Sequence, residues 1–205
     1  MAKYKKDTDA KEKILEAARN VFMHKGMFGA RMQDIADEAG INKALLHYYF
    51  KNKEKLFEEI FLEAASKLFS KVNDIVSSDL PFFEKIEKFC DSYITVVLEN
   101  PYLPLFVLNE INQDPEYFRK KLWGKDKSPK AKKFMEQIAE EVKKGTIREV
   151  SPLHLFLNLI SMTIFPFVSK PMLQMNVGLD EQQFRMAMEQ RKKEIPQFII
   201  NSIKK

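Results

Sequence analysis

The residues best suited to chemistry lie between Arg31 and Lys53. Asn42, Lys43, Ala44, Leu45, His47 and Tyr48 fall within one short stretch. If that stretch is helical, Leu46, Tyr49 and Phe50 (i, i+3, i+4) share an inward face. Lys43, Ala44, Leu45, His47 and Tyr48 are then left facing out. Groups of this kind read duplex DNA: a lysine ammonium donates to guanine O6 and N7, and small apolar groups meet the thymine methyl. His47 can serve a base edge or a phosphate.

Such side chains work only if the helix carrying them is held by another. The preceding residues supply one, with Ile35, Ala36 and Ala39 on a single face (i, i+1, i+4). Ala36 is small enough for a second helix to cross closely. Gly40 stands where the chain must reverse and tolerates φ > 0. Ile41 plugs the corner, and the Asn42 side chain can cap the next helix. Two short helices around a glycine turn make a helix-turn-helix, which places its second helix in the major groove.

Residues 11–61 resemble the N-terminal domain of TetR/AcrR-type bacterial transcriptional regulators. The likeness is carried by KILEAARNVFMHKG and IADEAGINKALLHYYFKNKEKLF, in particular the Ile-Ala…Ala-Gly-Ile spacing, the Tyr-Phe pair and the closing Phe-Lys-Asn-Lys-Glu…Leu. It implies an all-α fold in two parts. Residues 1–52 form a three-helix DNA-binding domain with the helix-turn-helix, and 53–205 a larger helical domain for effector binding and dimerisation. The implied function is a sequence-specific transcriptional regulator. Its usual mode is a repressor released from a palindromic operator by a small, largely apolar effector. The resemblance adds Gln33 as a base contact and matches Tyr48 and Lys53 to phosphate-holding positions. In two places the chain departs from the pattern. Ala30 and Arg31 stand where many relatives carry Thr or Ser, leaving Arg31 to meet a phosphate by charge alone, and His47 stands where many have Tyr. The expected DNA-binding set is Arg31, Gln33, Asn42, Lys43, Ala44, Leu45, His47, Tyr48 and Lys53.

Bulk properties agree. Of the 205 residues 45% are hydrophobic, enough for a sizeable core. Glycine is scarce and strand-type alternation is absent, which points to helices. The net charge is +5, and residues 1–55 carry 12 Lys and Arg against 8 Asp and Glu. Most of the surplus therefore sits on the end expected to meet a polyanion. Cys90 is the only cysteine, so an internal disulfide and a multi-cysteine zinc site are excluded. Three scattered histidines do not suggest a metal site, and no cofactor is expected. The basic N-terminus has no apolar core of a secretory signal. The most apolar run, 153–168, is too short to span a bilayer, and a cytoplasmic protein with no membrane partner is expected. There is no glycine-rich phosphate loop, HExxH or GxSxG, so the chain is not read as an enzyme.

Along the chain, periodicity and breakers predict a first helix over 9–25 ended by Gly26, and a long one from 52 or 53 into the 70s. Further helices follow over 81–99, 105–112, 115–123, 130–144 and 152–169, then a loop over 170–178. The last helix opens at Asp180 with Gln183 as capping-box partner. Pro166 and Pro196 are expected to bend their helices. The helix from 53 is long enough to serve both domains and to transmit a shift between them. Helix 152–169 is apolar on nearly every face, more than one monomer core needs. With helix 180–203 it is the expected homodimer interface, and in the resembled family the last two helices form an intermolecular four-helix bundle.

The middle helices carry many aromatic and Met residues. The candidate effector pocket is Phe61, Phe89, Cys90, Tyr93, Phe106, Asn109, Glu110, His154, Asn158 and Met162, the polar members orienting a ligand inside an apolar wall. An inward Glu110 would favour a cationic or hydroxylated ligand. The competing expectation is a DNA-binding protein regulated by a protein partner, with no small-molecule effector and the same aromatic residues serving as plain core.

Overall fold

A computed structural model describes the backbone of residues 2–123 and 131–205 and the side chains of 10–122 and 131–205. The Gly124–Pro129 loop and the Trp123 side chain expected from the sequence lie outside the described residues. The elements are α1 (Ala2–Gly29), α2 (Met32–Glu38), α3 (Lys43–Tyr49), α4 (Lys53–Ser77), α5 (Phe82–Glu99) and α6 (Leu103–Gln113). They continue with α7 (Pro115–Trp123), α8 (Ala131–Lys144), α9 (Pro152–Val168), α10 (Lys170–Val177) and α11 (Glu181–Ile203). Among the described residues the one β interaction noted outside the helices is an isolated bridge between Ile147 and Lys204.

The chain divides into two compact units, 1–64 and 65–205. The division falls inside α4, whereas the sequence placed the join at 52/53. The start of α4 packs with the N-terminal helices. Phe57 meets Phe22 edge-on at 5.0 Å, Arg19 pairs with Glu63 at 2.6 Å, and Leu56 and Ile60 are buried. Ile14, Ala18, Phe22, Ile35, Ala36 and Leu46 complete that core. Apolar burial holds this small unit together, at about 1.5–3 kcal/mol for each fully buried large side chain.

The C-terminal unit is built around α5. Its buried stripe of Phe82, Ile86, Phe89, Tyr93 and Val97 has the i, i+4, i+7, i+11, i+15 spacing of one helix face. The core sides of α9 (Leu155, Leu159, Thr163, Phe167) and α11 (Phe184, Met188, Ile195, Ile199) are buried as well. The expected caps are present. Asp180 accepts from Gln183 N–H at 2.7 Å while the Gln183 side chain accepts from Asp180 N–H at 2.9 Å.

Two elements differ from expectation. Residues 170–177 form α10 rather than a loop. Pro171 occupies the first turn, where its missing N–H costs nothing, and Gly178 closes the helix at φ 74°. In α1 Gly26, at φ 68° and ψ 174°, ends the first helical run as expected, but a further helical turn follows it before α2.

Candidate nucleic-acid interface

The turn joining α2 to α3 is closed by backbone hydrogen bonds that only a left-handed residue permits. Gly40 has φ 64°. Its N–H donates to Asp37 O at 3.1 Å, and Ile41 N–H donates to Ala36 O at 3.0 Å. This pair of bonds is a Schellman ending, which satisfies the last carbonyls of α2 and sends the chain across it. Asn42 then caps α3, its Oδ1 accepting from Leu45 N–H at 2.8 Å. The register of α3 is thereby set. Leu46 and Phe50 are buried, Tyr49 is half-buried, and Lys43, Ala44, Leu45, His47 and Tyr48 are exposed. Tyr48 is 79% exposed yet held edge-on against Tyr49 at 5.3 Å.

The start of α2 is capped without a hydroxyl. Arg31 holds the N-cap position in an extended conformation, and the Asp34 carboxylate accepts from its N–H at 3.1 Å. Lys25 pairs with the same carboxylate at 3.0 Å. The Lys25 hydrogen bond first, then the Arg31 N–H, hold the Asp34 carboxyl below its ordinary value. The Arg31 side chain is left exposed.

The other candidates are less free. Gln33 is exposed but its amide donates to Asp37 at 2.7 Å. His47 Nδ1 lies 3.3 Å from Lys51 O. Lys53 is half-buried, and its Nζ donates to Ala30 O at 3.1 Å. It therefore ties the start of α4 to the α1–α2 link. The family resemblance assigned Lys53 to a phosphate, and this bond was not foreseen because its partner lies 23 residues away.

Not all of the candidate effector residues are interior. Phe61 belongs to the N-terminal unit, packed on Phe57 at 4.2 Å. Phe89 and Tyr93 are buried and stacked at 6.2 Å, and Phe106 meets Phe118 at 6.3 Å. Cys90 is buried with Sγ 3.7 Å from Thr163 Oγ1. Burial pushes its thiol up to about 12 and also raises the Tyr93 phenol. Met162 and Glu110 are half-buried. Asn109, His154 and Asn158 are exposed, a correction to their expected place inside an apolar wall. On α9 the core stripe is Leu155, Leu159 and Thr163, which turns 154 and 158 outward. On α6 it is Leu103 and Phe106, which leaves Asn109 outside.

A buried lysine and a half-buried arginine escaped the sequence reading. Lys85 is 2% exposed, and its Nζ donates to Val76 O, Ser78 O and Gln137 Oε1 at 3.3, 2.8 and 2.6 Å. Arg191 donates to Met162 O at 2.8 Å, and its Nε is buried with no partner. Burial lowers the pKa of both groups. The signal for Lys85 was its place among apolar residues on the buried face of α5. Among the described residues no three His, Cys, Asp or Glu side chains are grouped to hold a metal ion. No single described helix is long and apolar enough to cross a membrane.

The description "Bacterial regulatory proteins, tetR family" belongs to the family model that matches residues 14–60. The chain is 35% identical over 80 residues to a protein named HTH-type transcriptional regulator YhgD from Bacillus subtilis (strain 168), covering 39% of this chain and 42% of that one. The match thus spans less than half the length of that relative. It is 27% identical over 160 residues to the HTH-type transcriptional repressor AcnR of Corynebacterium efficiens, covering 76% and 79%. A crystal structure of a TetR/AcrR-family regulator from Thermobifida fusca aligns with TM-score 0.66 and 20% identity, covering 94% and 97%. That likeness is one of fold. The matched segment contains the whole helix-turn-helix, and the all-helical fold continues beyond it. Residues 14–60 therefore carry the helix-turn-helix domain of the tetR family of bacterial regulatory proteins.

Proposed function

We propose that this protein is a sequence-specific DNA-binding regulator that acts as a homodimer on a palindromic operator. The observation that carries the reading is the exposed face of α3, with Lys43, Ala44, Leu45, His47 and Tyr48 free of the core on a helix pinned by Gly40 and Asn42. Lys43, Ala44 and Leu45 meet base edges. Arg31 and Tyr48 hold phosphates, which supply register and salt-dependent affinity. Two-fold symmetry doubles the contact and sets the half-site spacing. Exposed Leu153, Leu157 and Phe165 on α9 and Met186 and Phe198 on α11 support dimerisation through these helices, since each is a large apolar group left uncovered in one chain.

Repression is the mode supported by the similarity to AcnR, which is named a transcriptional repressor. Release follows when a small, largely apolar effector binds among Phe89, Cys90, Tyr93, Phe106 and Met162. It shifts the population toward an arrangement with lower operator affinity, with α4, shared by both units, as the coupling element. The exposure of Asn109, His154 and Asn158 favours a second reading, because it removes three of the polar anchors for such a ligand. There, a protein partner regulates the same DNA-binding chain and no small molecule is involved.

The test is fluorescence anisotropy at physiological salt with the DNA upstream of the protein's own gene, against a scrambled duplex. Tight, sequence-dependent binding by a dimer is expected. Equal binding to both duplexes counts against self-regulation and moves the search to operators recovered by selection from random DNA. Release by apolar compounds separates the effector reading from the partner reading.

A further inference from the structure

Phe28 is 99% exposed, the most exposed large hydrophobic residue among the described residues. A phenylalanine ring wholly in water contributes nothing to its own core, and its position follows from a specific backbone feature. Gly26 is buried and adopts φ 68°, ψ 174° inside α1. The break turns residues 27–29 off the path of the preceding helix, so that Met27 is half-buried while Phe28 projects outward.

Phe28 stands close in sequence to the candidate DNA-facing groups. Phe28 precedes Arg31, the exposed N-cap of α2, by three residues, and Ala30 stands between them. The Ala30 carbonyl accepts from Lys53 Nζ at 3.1 Å. Lys53 follows closely on Lys51, whose carbonyl lies 3.3 Å from the ring of His47 on α3. The residue that follows the Phe28 turn, Ala30, is therefore held by Lys53, and the chain just before Lys53 is held to His47 on α3. In a helix-turn-helix the first helix of the motif crosses the sugar-phosphate backbone while the second enters the groove. A group just ahead of that first helix meets the backbone flanking the half-site. Its neighbours there, Arg31 and Lys53, are cationic, which matches a polyanion.

Resting on the regulator reading above, we propose that Phe28 is a DNA-contact residue, packing its ring against deoxyribose at the edge of the half-site. The contact is apolar. It adds affinity without releasing counterions, unlike the phosphate contacts of Arg31 and Tyr48.

The experiment compares the full-length protein with Phe28→Ala and Phe28→Leu on a duplex recovered by selection from random DNA, titrated by anisotropy at several salt concentrations. Thermal melting of all three is expected to coincide, because the ring is outside the core. Phe28→Ala should bind about tenfold more weakly, the worth of burying much of a large apolar side chain, with an unchanged salt slope. Phe28→Leu should recover most of the loss. Equal affinity of wild type and Phe28→Ala, or a loss accompanied by a shallower salt slope, overturns the assignment while leaving the regulator reading intact. A wild type from which no preferred duplex is recovered overturns both.

Discussion

The ammonium of Lys53 lies 3.1 Å from the carbonyl oxygen of Ala30, joining the first residue of α4 to the link that precedes α2. One cation thus closes the helix-turn-helix from behind, and an ammonium keeps further donors for a phosphate. Lys43, at the start of α3, is exposed. The two lysines therefore fail differently when removed. Lys43→Ala should lose discrimination between the selected duplex and random DNA. Lys53→Ala should weaken both alike, flatten the salt slope by about one unit and lower stability by about 1 kcal/mol. Salt titrations on both duplexes with urea unfolding check this, and equal losses on specific and random DNA for Lys43→Ala would remove its base-reading role.

Gly40 holds φ 64°, and a Cβ added there would meet nothing within 4 Å. Any cost of Gly40→Ala is thus backbone strain alone. It should amount to about 1–2 kcal/mol and carry a matching drop in operator affinity. Chemical denaturation reads the first and anisotropy the second, and a variant as stable as wild type would mean the turn adopts another geometry.

Asp34 titrates below its ordinary value of 3.8 because Lys25 and the Arg31 N–H favour its ionised form. A depressed carboxyl contributes stability above the unfolded value and loses it as pH falls through the folded one. The stability gap between wild type and Asp34→Asn should therefore be constant at neutral pH and close in acid, below 3.8. Urea unfolding of both proteins as a function of pH measures that closing. A gap that persists at the acid end would place the effect in packing instead.

Lys85 bonds the carbonyls of Val76 and Ser78 at the end of α4 and the side chain of Gln137 on α8. Lys85→Met preserves most of the volume but leaves those acceptors without their cation. The expected cost is about 2–3 kcal/mol, read as a lower urea midpoint. A neutral result would mean that water replaces the ammonium.

Phe165 is 56% exposed on α9, with exposed Leu157 and Leu153 about two and three turns earlier on its outer face. If that face is the dimer seam, Phe165→Asp should weaken self-association by at least about tenfold while the monomer stays folded. Sedimentation velocity with circular dichroism distinguishes this from simple unfolding. An unaffected dimer would move the interface elsewhere.

How much was legible in advance follows from the range of the interaction concerned. Gly40, the Asn42 cap and the Asp180–Gln183 capping box were readable because each involves residues within a few positions of one another. So was the inner face of α3, since three apolar residues at helical spacing leave one outcome. α10 was not, because a short stretch of mixed polarity between two longer helices carries no clear period. The turn beyond Gly26 that exposes Phe28 was hidden for a related reason: glycine marks a break but not whether the helix resumes after it.

By itself, then, the order of residues determined the helical class, the helix-turn-helix and its outward side chains, through periodicity and capping that act along the chain. Tertiary structure decided which face of α9 and α6 meets the core, and so sent Asn109, His154 and Asn158 to the surface. It also decided that Lys53 reaches Ala30 and that Lys85 is buried at the end of α4. An evenly apolar helix has no preferred inside until neighbours pack on it, and a long cationic side chain finds its acceptor only once distant segments have come together.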